Sequence, residues 1–390
     1  MCNLQVKDIF FDRQNASFYY KIYIVMKVVN LKLKNFRNYE ELELPFDENM
    51  NIILGKNAQG KTNIVESLYI MSTLKSFRNS KLHDCIREDC SCAEIEVNVE
   101  NENCVKKNLK LKINSSGENE FFVNGNKVSQ KKEMIGWLYA VVFSPDELKL
   151  VKGSPETRRE FLDTDICQIS KAYSGLIARY EILLLSRNKL LKFAKNSSTL
   201  HAQLDIYEEQ MAMVGGQISI SRQNFVQKLN SYANDIMQSL SGGKETLKIE
   251  YVGIDGETRE QKSENFLRML KESRNKDLEL GFSSVGPHRD DLRFIVNEKE
   301  VKPFASQGQQ RSVVLATKIA EMKTLTNEKE KPIMILDDVF SELDSLRQKM
   351  LVDYFVDSQV FITSTTCKSG VGKFGTKYRV NSGKVKRSDK

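Results

Sequence analysis

The chain has 390 residues, a length that favours two or three domains and is ample for a large core. Lys and Arg number 59 against 52 Asp and Glu, so the net charge of +7 leans mildly toward polyanionic partners. No apolar run reaches the about 18 residues of a membrane-spanning helix. The seven cysteines lack the paired spacing of a zinc site, which favours reduced thiols in a cytosolic protein over a metal centre.

The first regular segment, from 26 to about 143, is predicted to consist of strands with one helix. Apolar and polar residues alternate strictly over 29–36, 94–100 and 108–114, as in strands with one buried face. Asn124-Gly125 stands between the apolar flanks of 121–128, which predicts a hairpin. Another short apolar strand is predicted at 139–143.

The most specific motif of this segment fits G-x-x-x-x-G-K-[ST] and lies between a short apolar strand and an amphipathic helix. Glycines let the backbone turn so that several N–H groups point at an anion, and the following helix adds its positive end. We expect Lys61 to reach the β- and γ-phosphates and Thr62 to bind Mg²⁺. The predicted nucleotide-binding residues are Gly55, Lys56, Asn57, Ala58, Gln59, Gly60, Lys61 and Thr62.

From about Pro155 the pattern becomes helical. Ser197-Ser198 is predicted to turn one long helix back on a second, with apolar stripes that favour helix-pair packing over a binding surface. Strands return from Leu247. The stripe residues are Leu176, Tyr180, Leu183, Leu184, Leu190 and Leu191 on the first helix, and Leu204, Ile206, Met211, Met213, Ile218, Phe225 and Leu229 on the second.

A second anion cradle is predicted at 306–311, SQGQQR, where a Ser-x-Gly turn opens an apolar-faced helix. Ser306, Gly308 and Gln309 would supply hydroxyl, amide and side-chain donors. The segment LSGGK at 240–244 looks more like a transporter signature, but a strand pattern follows it. We interpret its glycines as a helix C-cap and turn.

A buried strand from Ile333 to Leu336 ends in adjacent carboxylates, Asp337 and Asp338. The carboxyl ends of parallel strands are where α/β folds place ligands. We expect Asp337 to hold Mg²⁺ directly or through water and Asp338 to be catalytic with Lys61, orienting the attacking water. Alone, the pair is also consistent with an exposed acidic turn. The strand 361–366 ends in hydroxyls that suit a γ-phosphate sensor or a polar strand end.

Several segments together resemble bacterial RecF proteins, recombination and repair ATPases of the SMC/Rad50 group. The similarity runs from Met26 almost to the C-terminus. The motifs are LKNFRNY (33–39), GKNAQGKTN (55–63), LKSFR (74–78), FSPDELKLVKGSPETRREFLD (143–163), VGPHRDDL (285–292), SQGQQR (306–311) and LDDVFSELD (336–344).

The resemblance implies a cytoplasmic protein that binds ATP and Mg²⁺, binds single- and double-stranded DNA at gaps, and forms an ATP-dependent homodimer. It further implies slow, DNA-stimulated ATP hydrolysis used as a switch, and action with RecO and RecR proteins in loading recombinase. In such ATPases the second cradle reaches the partner's γ-phosphate, and 341–344 meets the partner. DNA-contacting side chains are not identified; Arg158 and Arg159 are equally consistent with a structural role. We interpret 288–291 as a turn and strand start anchored to the ATPase core instead of a nuclease site.

The implied fold is α/β, an ABC-type P-loop ATPase head with mixed sheet and an inserted helical arm. A transporter-type subunit, another SMC/Rad50-like head and a DNA clamp with incidental hydrolysis are the alternatives. The basic tail is consistent with a solvated terminus or a DNA contact. The expected parts are an extension, disordered or from a mis-assigned start (1–25), the first part of the head (26–150), the arm (151–280), the second part of the head (281–367) and a basic tail (368–390).

Overall fold

The structure is a computed structural model that describes residues 9–12, 17–20, 24–78, 80–100, 105–193, 198–326, 330–341, 343–355, 358–366 and 375–388. The chain forms two compact units. The first comprises Met1–Ser129, Trp137–Phe143 and Leu325–Lys390; the second comprises Gln130–Gly136 and Ser144–Thr324.

The strands are β1 Ile9–Asp12, β2 Ser17–Tyr20, β3 Ile24–Val25, β4 Lys27–Phe36, β5 Tyr39–Pro45, β6 Met50–Leu54, β7 Cys92–Glu100, β8 Lys106–Asn114, β9 Glu120–Val123, β10 Asn126–Val128, β11 Ala140–Phe143, β12 Leu247–Val252, β13 Asp291–Val296, β14 Lys299–Glu300, β15 Glu330–Lys331, β16 Ile333–Asp337, β17 Val360–Ser364, β18 Thr376–Asn381 and β19 Lys384–Ser388. The α-helices are α1 Lys61–Thr73, α2 Lys149–Lys152, α3 Pro155–Ile169, α4 Lys171–Phe193, α5 Leu200–Ser241, α6 Arg259–Leu280, α7 Val301–Phe304, α8 Gln307–Leu325 and α9 Ser345–Tyr354. No helix in these described ranges is both long and apolar enough to cross a membrane.

One sheet of the first unit has the order β11-β16-β17-β6-β18-β19, and only its last pair is antiparallel. Every residue of β16 is buried, because a parallel strand at a sheet centre is covered on both faces. The parallel register brings the carboxyl ends of β16, β17 and β6 to one edge of the sheet. The phosphate-binding loop and the paired carboxylates follow β6 and β16 at that edge.

The other large sheet of the first unit is antiparallel, in the order β10-β9-β8-β7-β4-β5. β7 alternates buried and half-buried residues along its whole length, which confirms the predicted strand. The predicted hairpin is also confirmed: β9 pairs with β10 around Asn124 and Gly125, whose φ values are 51° and 79°. Helix α1 contacts strands of both sheets, so its apolar residues are buried on more than one side.

The second unit is mainly helical and carries the small sheet β12-β13-β14. Most residues of the predicted stripes are buried or half-buried, but Ile206 and Met213 are each 58% exposed. That part of the prediction is wrong because both residues lie two positions after a buried one, Leu204 and Met211, and two positions turn a helix by about 200°. Helix α4 ends before the predicted turn at 197–198 and α5 begins after it. Ser197 itself lies outside the described residues.

Residues near both termini differ from the predicted extension and tail. β1 pairs with β2, and β3 pairs with β15, within the segment predicted to be either a disordered extension or the product of a mis-assigned start. Residues 376–388, predicted as part of a basic tail, form β18 and β19 of the parallel sheet. The buried side chains of Tyr378 and Val380 explain the difference, since an apolar residue at every second position lets a basic segment pack one face. The second unit also extends beyond the predicted arm, from 144 to 324, and the pairing of β12 with β13 places 291–296 in it.

Two adjacent glycines of α5 allow a close approach of α6. A Cβ on Gly216 would lie 2.2 Å from Ser263 Oγ and 2.9 Å from Ser263 N. We therefore expect Gly216→Ala to lower the free energy of unfolding of the second unit by about 1–3 kcal/mol. Gly175→Ala in α4 is the matched control, because its Cβ would meet nothing within 4 Å; helix propensity should raise stability by up to about 1 kcal/mol. Urea unfolding followed by hydrogen exchange checks both, and equal effects would contradict the packing argument.

Candidate nucleotide-binding site

The phosphate-binding loop connects β6 to α1 and is shaped by its two motif glycines. Gly60 has a φ of 111°, and a Cβ there would lie 2.6 Å from Asn38 Nδ2 and 2.8 Å from the Tyr39 hydroxyl. A Cβ on Gly55 would lie 2.5 Å from the Val380 carbonyl oxygen. Glycine is therefore required at both positions, at Gly60 for backbone conformation as well as for space.

The ammonium of Lys61 lies in the curve of this loop. Its Nζ donates hydrogen bonds to the carbonyl oxygens of Gly55 at 2.8 Å and Lys56 at 3.0 Å, and the residue is only 6% exposed. Burial lowers the pKa of Lys61, while the charges of Asp338 and Asp337 act in the opposite direction. A buried cation at the start of a helix is the arrangement that binds an anion.

The predicted carboxylate pair meets the phosphate-binding loop directly. Asp337 Oδ1 accepts hydrogen bonds from Thr62 Oγ1 at 2.9 Å and Thr363 Oγ1 at 2.6 Å. Burial raises the pKa of Asp337, and both hydroxyls oppose that shift. Asp338 adopts a left-handed conformation, φ 54°, and its N–H donates to Thr363 Oγ1 at 3.0 Å. The alternative of an exposed acidic turn is excluded for Asp337, which is 7% exposed.

A cavity of about 810 Å³ opens over these groups. A volume of this size is in the range of small-molecule and cofactor sites. Its walls contain both cations and anions. Its lining includes Lys61, Thr62, Asp338, Thr363, Arg37 and Arg78.

Two arginines of this cavity have no role in the sequence prediction, although both lie in motifs that carry the family resemblance. Arg37 donates to both carboxylate oxygens of Glu66, at 2.6 and 3.1 Å, and Arg78 Nη1 lies 3.7 Å from the same group. Glu66 is fully buried and also accepts from Ser76 Oγ at 2.5 Å. The carboxylate of Glu66 thus holds Arg37 and lies close to Arg78. The cluster is not apparent in the sequence because Arg37 is 29 positions away from Glu66.

Glu66→Ala should lower the free energy of unfolding of the first unit by about 2 kcal/mol, because it deprives the half-buried guanidinium of Arg37 and the buried hydroxyl of Ser76 of their shared acceptor. The matched control is Glu48→Ala, whose carboxylate is 69% exposed in its pair with Lys27, so little change is expected. Chemical denaturation of both variants measures the difference. A loss at Glu66 no larger than at Glu48 would contradict the role assigned to the buried carboxylate.

Gln59, one of the loop positions that the motif leaves open, forms hydrogen bonds with residues outside the loop. Gln59 Oε1 accepts a hydrogen bond from Ser382 N at 2.6 Å, and the Gln59 carbonyl accepts from Asn38 Nδ2 at 3.1 Å. Ser382 and Gly383 form the turn between β18 and β19. The C-terminal hairpin therefore supports the loop, a contact that separation by more than 300 residues conceals in the sequence.

The predicted second cradle belongs to the second unit, whereas the loop and the carboxylate pair belong to the first. Ser306 Oγ accepts from Gln309 N at 3.2 Å, and Ser306 N donates to Gln309 Oε1 at 2.9 Å. This reciprocal pair caps α8. Ser306 and Gly308 are exposed. The rejected segment at 240–244 contains the end of α5, where Gly242 is a left-handed C-cap, as predicted.

The segment 288–291 has a structural role. Arg158 binds both carboxylate oxygens of Asp291 at 2.6 and 2.9 Å, and Arg222 donates to Asp290 at 2.7 Å. Burial lowers the pKa of His288 to about 4, so its ring is neutral at pH 7. The predicted turn and strand start is confirmed, but its anchors lie on α3 and α5 of the second unit, not on the ATPase core. Of the predicted partner-facing segment 341–344, position 342 lies outside the described residues.

Comparison with known proteins gives consistent matches over most of the chain. Residues 27–383 match the family model described as RecF/RecN/SMC N terminal domain. The chain is 37% identical to the DNA replication and repair protein RecF of Clostridium botulinum over 368 residues, which are 93% of this chain and 100% of that protein. It is 38% identical to the protein of the same name from Lachnospira eligens over 344 residues, 87% of this chain and 93% of that one.

Solved structures of related proteins are also similar to this chain. A structure described as the recombination mediator protein RecF with ATP in the RecFOR pathway has a TM-score of 0.88 and 32% identity, covering 94% of this chain and 99% of that one. An Smc head domain from Pyrococcus furiosus has a TM-score of 0.54 at 16% identity, covering 93% of this chain and 96% of that one, and supports the fold alone.

The parallel sheet, the phosphate-binding loop after β6 and the carboxylates after β16 define an ABC-type P-loop ATPase head with an inserted helical arm. Within that class, the chain belongs to the RecF family of the RecF/RecN/SMC group.

Proposed function

We propose that this protein is an ATP-dependent DNA-binding protein of recombinational repair and replication. The observation that carries the proposal is the hydrogen bond between Thr62 and Asp337, 275 positions apart, which joins the hydroxyl of the phosphate-binding loop to the strand-end carboxylate. ATP is supported by the buried ammonium of Lys61 beside a large cavity, and by similarity to a protein described in complex with ATP.

Mg²⁺ is supported by the chemistry of the same two side chains. A hydroxyl and a carboxylate are hard oxygen ligands, and Mg²⁺ in such sites is completed by phosphate oxygens and water. Thr62 and Asp337 would hold the ion, which would neutralise charge on the phosphates. Among the described residues no cluster of three or more His, Cys, Asp or Glu is placed to hold a metal, so the ion would bind together with the nucleotide.

The proposed dimerisation is supported by the presence of two predicted anion cradles. One triphosphate in one protomer cannot easily use both, and Ser306, Gly308 and Gln309 lie on a different unit from the loop. We propose that each copy binds ATP at 55–62 and offers its exposed α8 N-terminus to the γ-phosphate on the other copy. ATP would then join two heads, and slow hydrolysis would release them, so that hydrolysis acts as a switch.

DNA and protein partners are supported by family membership and by charge. The relatives are named as DNA replication and repair proteins, and one is described within the RecFOR pathway. The net charge of +7 suits a polyanion. We propose that the protein binds single- and double-stranded DNA at gaps in the cytoplasm. RecO and RecR would act with it to help load recombinase.

Asp338 is proposed to orient and polarise the attacking water, so Asp338→Asn should lower ATP turnover by at least about 100-fold. ATP affinity should change by no more than about threefold, because Lys61 and the loop amides remain. Asp353→Asn, an exposed carboxylate of the same unit, is the control. A coupled phosphate-release assay with and without DNA measures turnover. Unchanged turnover in Asp338→Asn would remove this residue from the chemistry.

The proposal as a whole is tested with a labelled duplex that carries a single-stranded gap. We expect fluorescence anisotropy to report binding that is tighter with ATP than with ADP and that weakens steeply with salt. Light scattering should show a dimer with ATP and a monomer with ADP. An ATP-binding protein that binds no DNA under any nucleotide condition would overturn the DNA-binding part of the proposal.

A further inference from the structure

The C-terminal hairpin presents a basic face at the edge of the parallel sheet. β19 is the last strand of that sheet, and its partner β18 packs Tyr378 and Val380 inward, 0% and 4% exposed. The opposite face of the hairpin carries the intervening residues. This face, which we call the hairpin face, consists of Lys377, Arg379, Lys384 and Lys386.

The antiparallel register concentrates these charges. Arg379 lies directly opposite Lys386, and Lys377 and Lys384 follow two residues away along each strand. Directly opposed like charges destabilise a strand pair. Within the described part of the chain, none of the four side chains forms an ion pair. Within the described residues, the positive charge of this face is therefore not compensated by a carboxylate.

Two of the three glutamates of the neighbouring acidic strand have partners elsewhere. β19 contacts β5, which carries three glutamates. Of these, Glu40 pairs with Arg87 at 2.8 Å and Glu43 with Lys32 at 3.1 Å. Arg379, Lys384 and Lys386 are exposed and Lys377 is half-buried, so the face is accessible to an external polyanion.

The same hairpin is joined to the phosphate-binding loop. The Ser382 N–H donates to Gln59 Oε1 at 2.6 Å, and Gly383 N donates to the Gln59 carbonyl at 3.4 Å. Arg379 is in register with Leu54, the residue before the loop. A ligand that displaces the hairpin would therefore also displace the phosphate-binding loop, because these hydrogen bonds join the two.

We propose that the hairpin face binds the phosphodiester backbone of DNA and that its turn couples this contact to the phosphate-binding loop. The inference rests on the proposed DNA binding and assigns residues to it. Charge complementarity supports a DNA backbone as the occupant, since lysine and arginine side chains bind phosphate oxygens in contacts that carry no sequence information. Coupling is reciprocal: DNA on the face changes ATP affinity by the factor by which ATP changes DNA affinity.

Charge reversal tests the contact. Lys384→Glu with Lys386→Glu should reduce the slope of log affinity against log salt by about 2 for duplex DNA, because each lost phosphate contact removes about 0.9. Lys276→Glu with Lys299→Glu is the matched control, with the same charge change on two exposed lysines of the second unit. Lysines on an edge strand also prevent strand-to-strand aggregation, a role that would leave the slope unchanged. A slope equal to that of the control would overturn the proposal.

The coupling is tested by measuring ATP affinity with and without the duplex. We expect a DNA-dependent change of several-fold in the wild type and in the control, and none in the hairpin variant at a DNA concentration that saturates it. A hairpin variant that retains the change would overturn the coupling. If the wild type itself binds no DNA, the proposed function fails; if it binds and the hairpin variant matches the control, only this inference fails.

Discussion

Lys61→Met is expected to raise the Kd for ATP by about 100-fold, because it removes a charge-assisted hydrogen bond to phosphate of up to about 3 kcal/mol. Methionine keeps an unbranched side chain of similar length in a site that is 6% exposed, so the loop should keep its shape. The two carbonyl oxygens that now accept from Lys61, those of Gly55 and Lys56, lose a partner. Isothermal titration with ATP and Mg²⁺ measures the affinity.

The control for this variant is Lys56→Met in the same loop. Lys56 belongs to the predicted nucleotide-binding loop through its backbone, but its side chain is exposed and does not line the cavity, so the affinity for ATP should change by less than about threefold. Circular dichroism of both variants should match the wild type. Equal losses at Lys56 and Lys61 would show that general positive charge, and not the buried ammonium, binds the phosphates.

The phosphate-binding loop was predictable because its requirements are local. A strand, two glycines, a lysine and a helix are read within about 25 residues, and each has a reason that does not depend on the rest of the fold. The carboxylate pair was predictable for a related reason: a short apolar run in a parallel sheet ends at the ligand-binding edge. The contact between Thr62 and Asp337 follows once β6 and β16 share that edge.

The cluster around Glu66 was not predictable in the same way. Its members are Arg37, in the turn between β4 and β5, and Ser76 and Arg78, in the segment after α1, and only the folded first unit brings Arg37 to the other two. A fully buried glutamate within an amphipathic helix gives no periodic pattern of its own. Both arginines lie in motifs that carry the family resemblance, but the motifs do not indicate that Glu66 is their shared partner.

Two errors have a common physical origin in strand and helix periodicity. The basic residues near the C-terminus dominate the composition of 368–390, and this conceals the alternation of Tyr378 and Val380 that places β18 in the sheet. The helical pattern of the sequence places Ile206 and Met213 in a buried stripe, although they fall on the opposite side of α5. In both cases position along the element decides burial more than residue type does.

Ser306→Arg is expected to abolish ATP-dependent dimerisation while each monomer still binds ATP. Ser306 is exposed at the start of α8, and a larger, charged side chain there would occupy the space proposed for the other copy's γ-phosphate. The substitution also removes an N-cap of about 1 kcal/mol. Ser306→Ala removes the cap alone, so it should retain a weaker dimer. Light scattering with ATP separates the two, and a wild-type dimer in Ser306→Arg would contradict the composite site.

A mixing experiment distinguishes a cradle that acts across the dimer from one that acts within its own chain. In a heterodimer of Lys61→Met and Ser306→Arg, one composite site combines both defects and the other combines an intact loop with an intact cradle. Neither variant should dimerise alone, whereas an equimolar mixture with ATP should form heterodimers, detectable by energy transfer between differently labelled chains. If the cradle served its own chain, each protomer would carry one defective site and mixing would restore nothing. Recovery in the mixture is therefore the result expected of two copies that complete each other's nucleotide site.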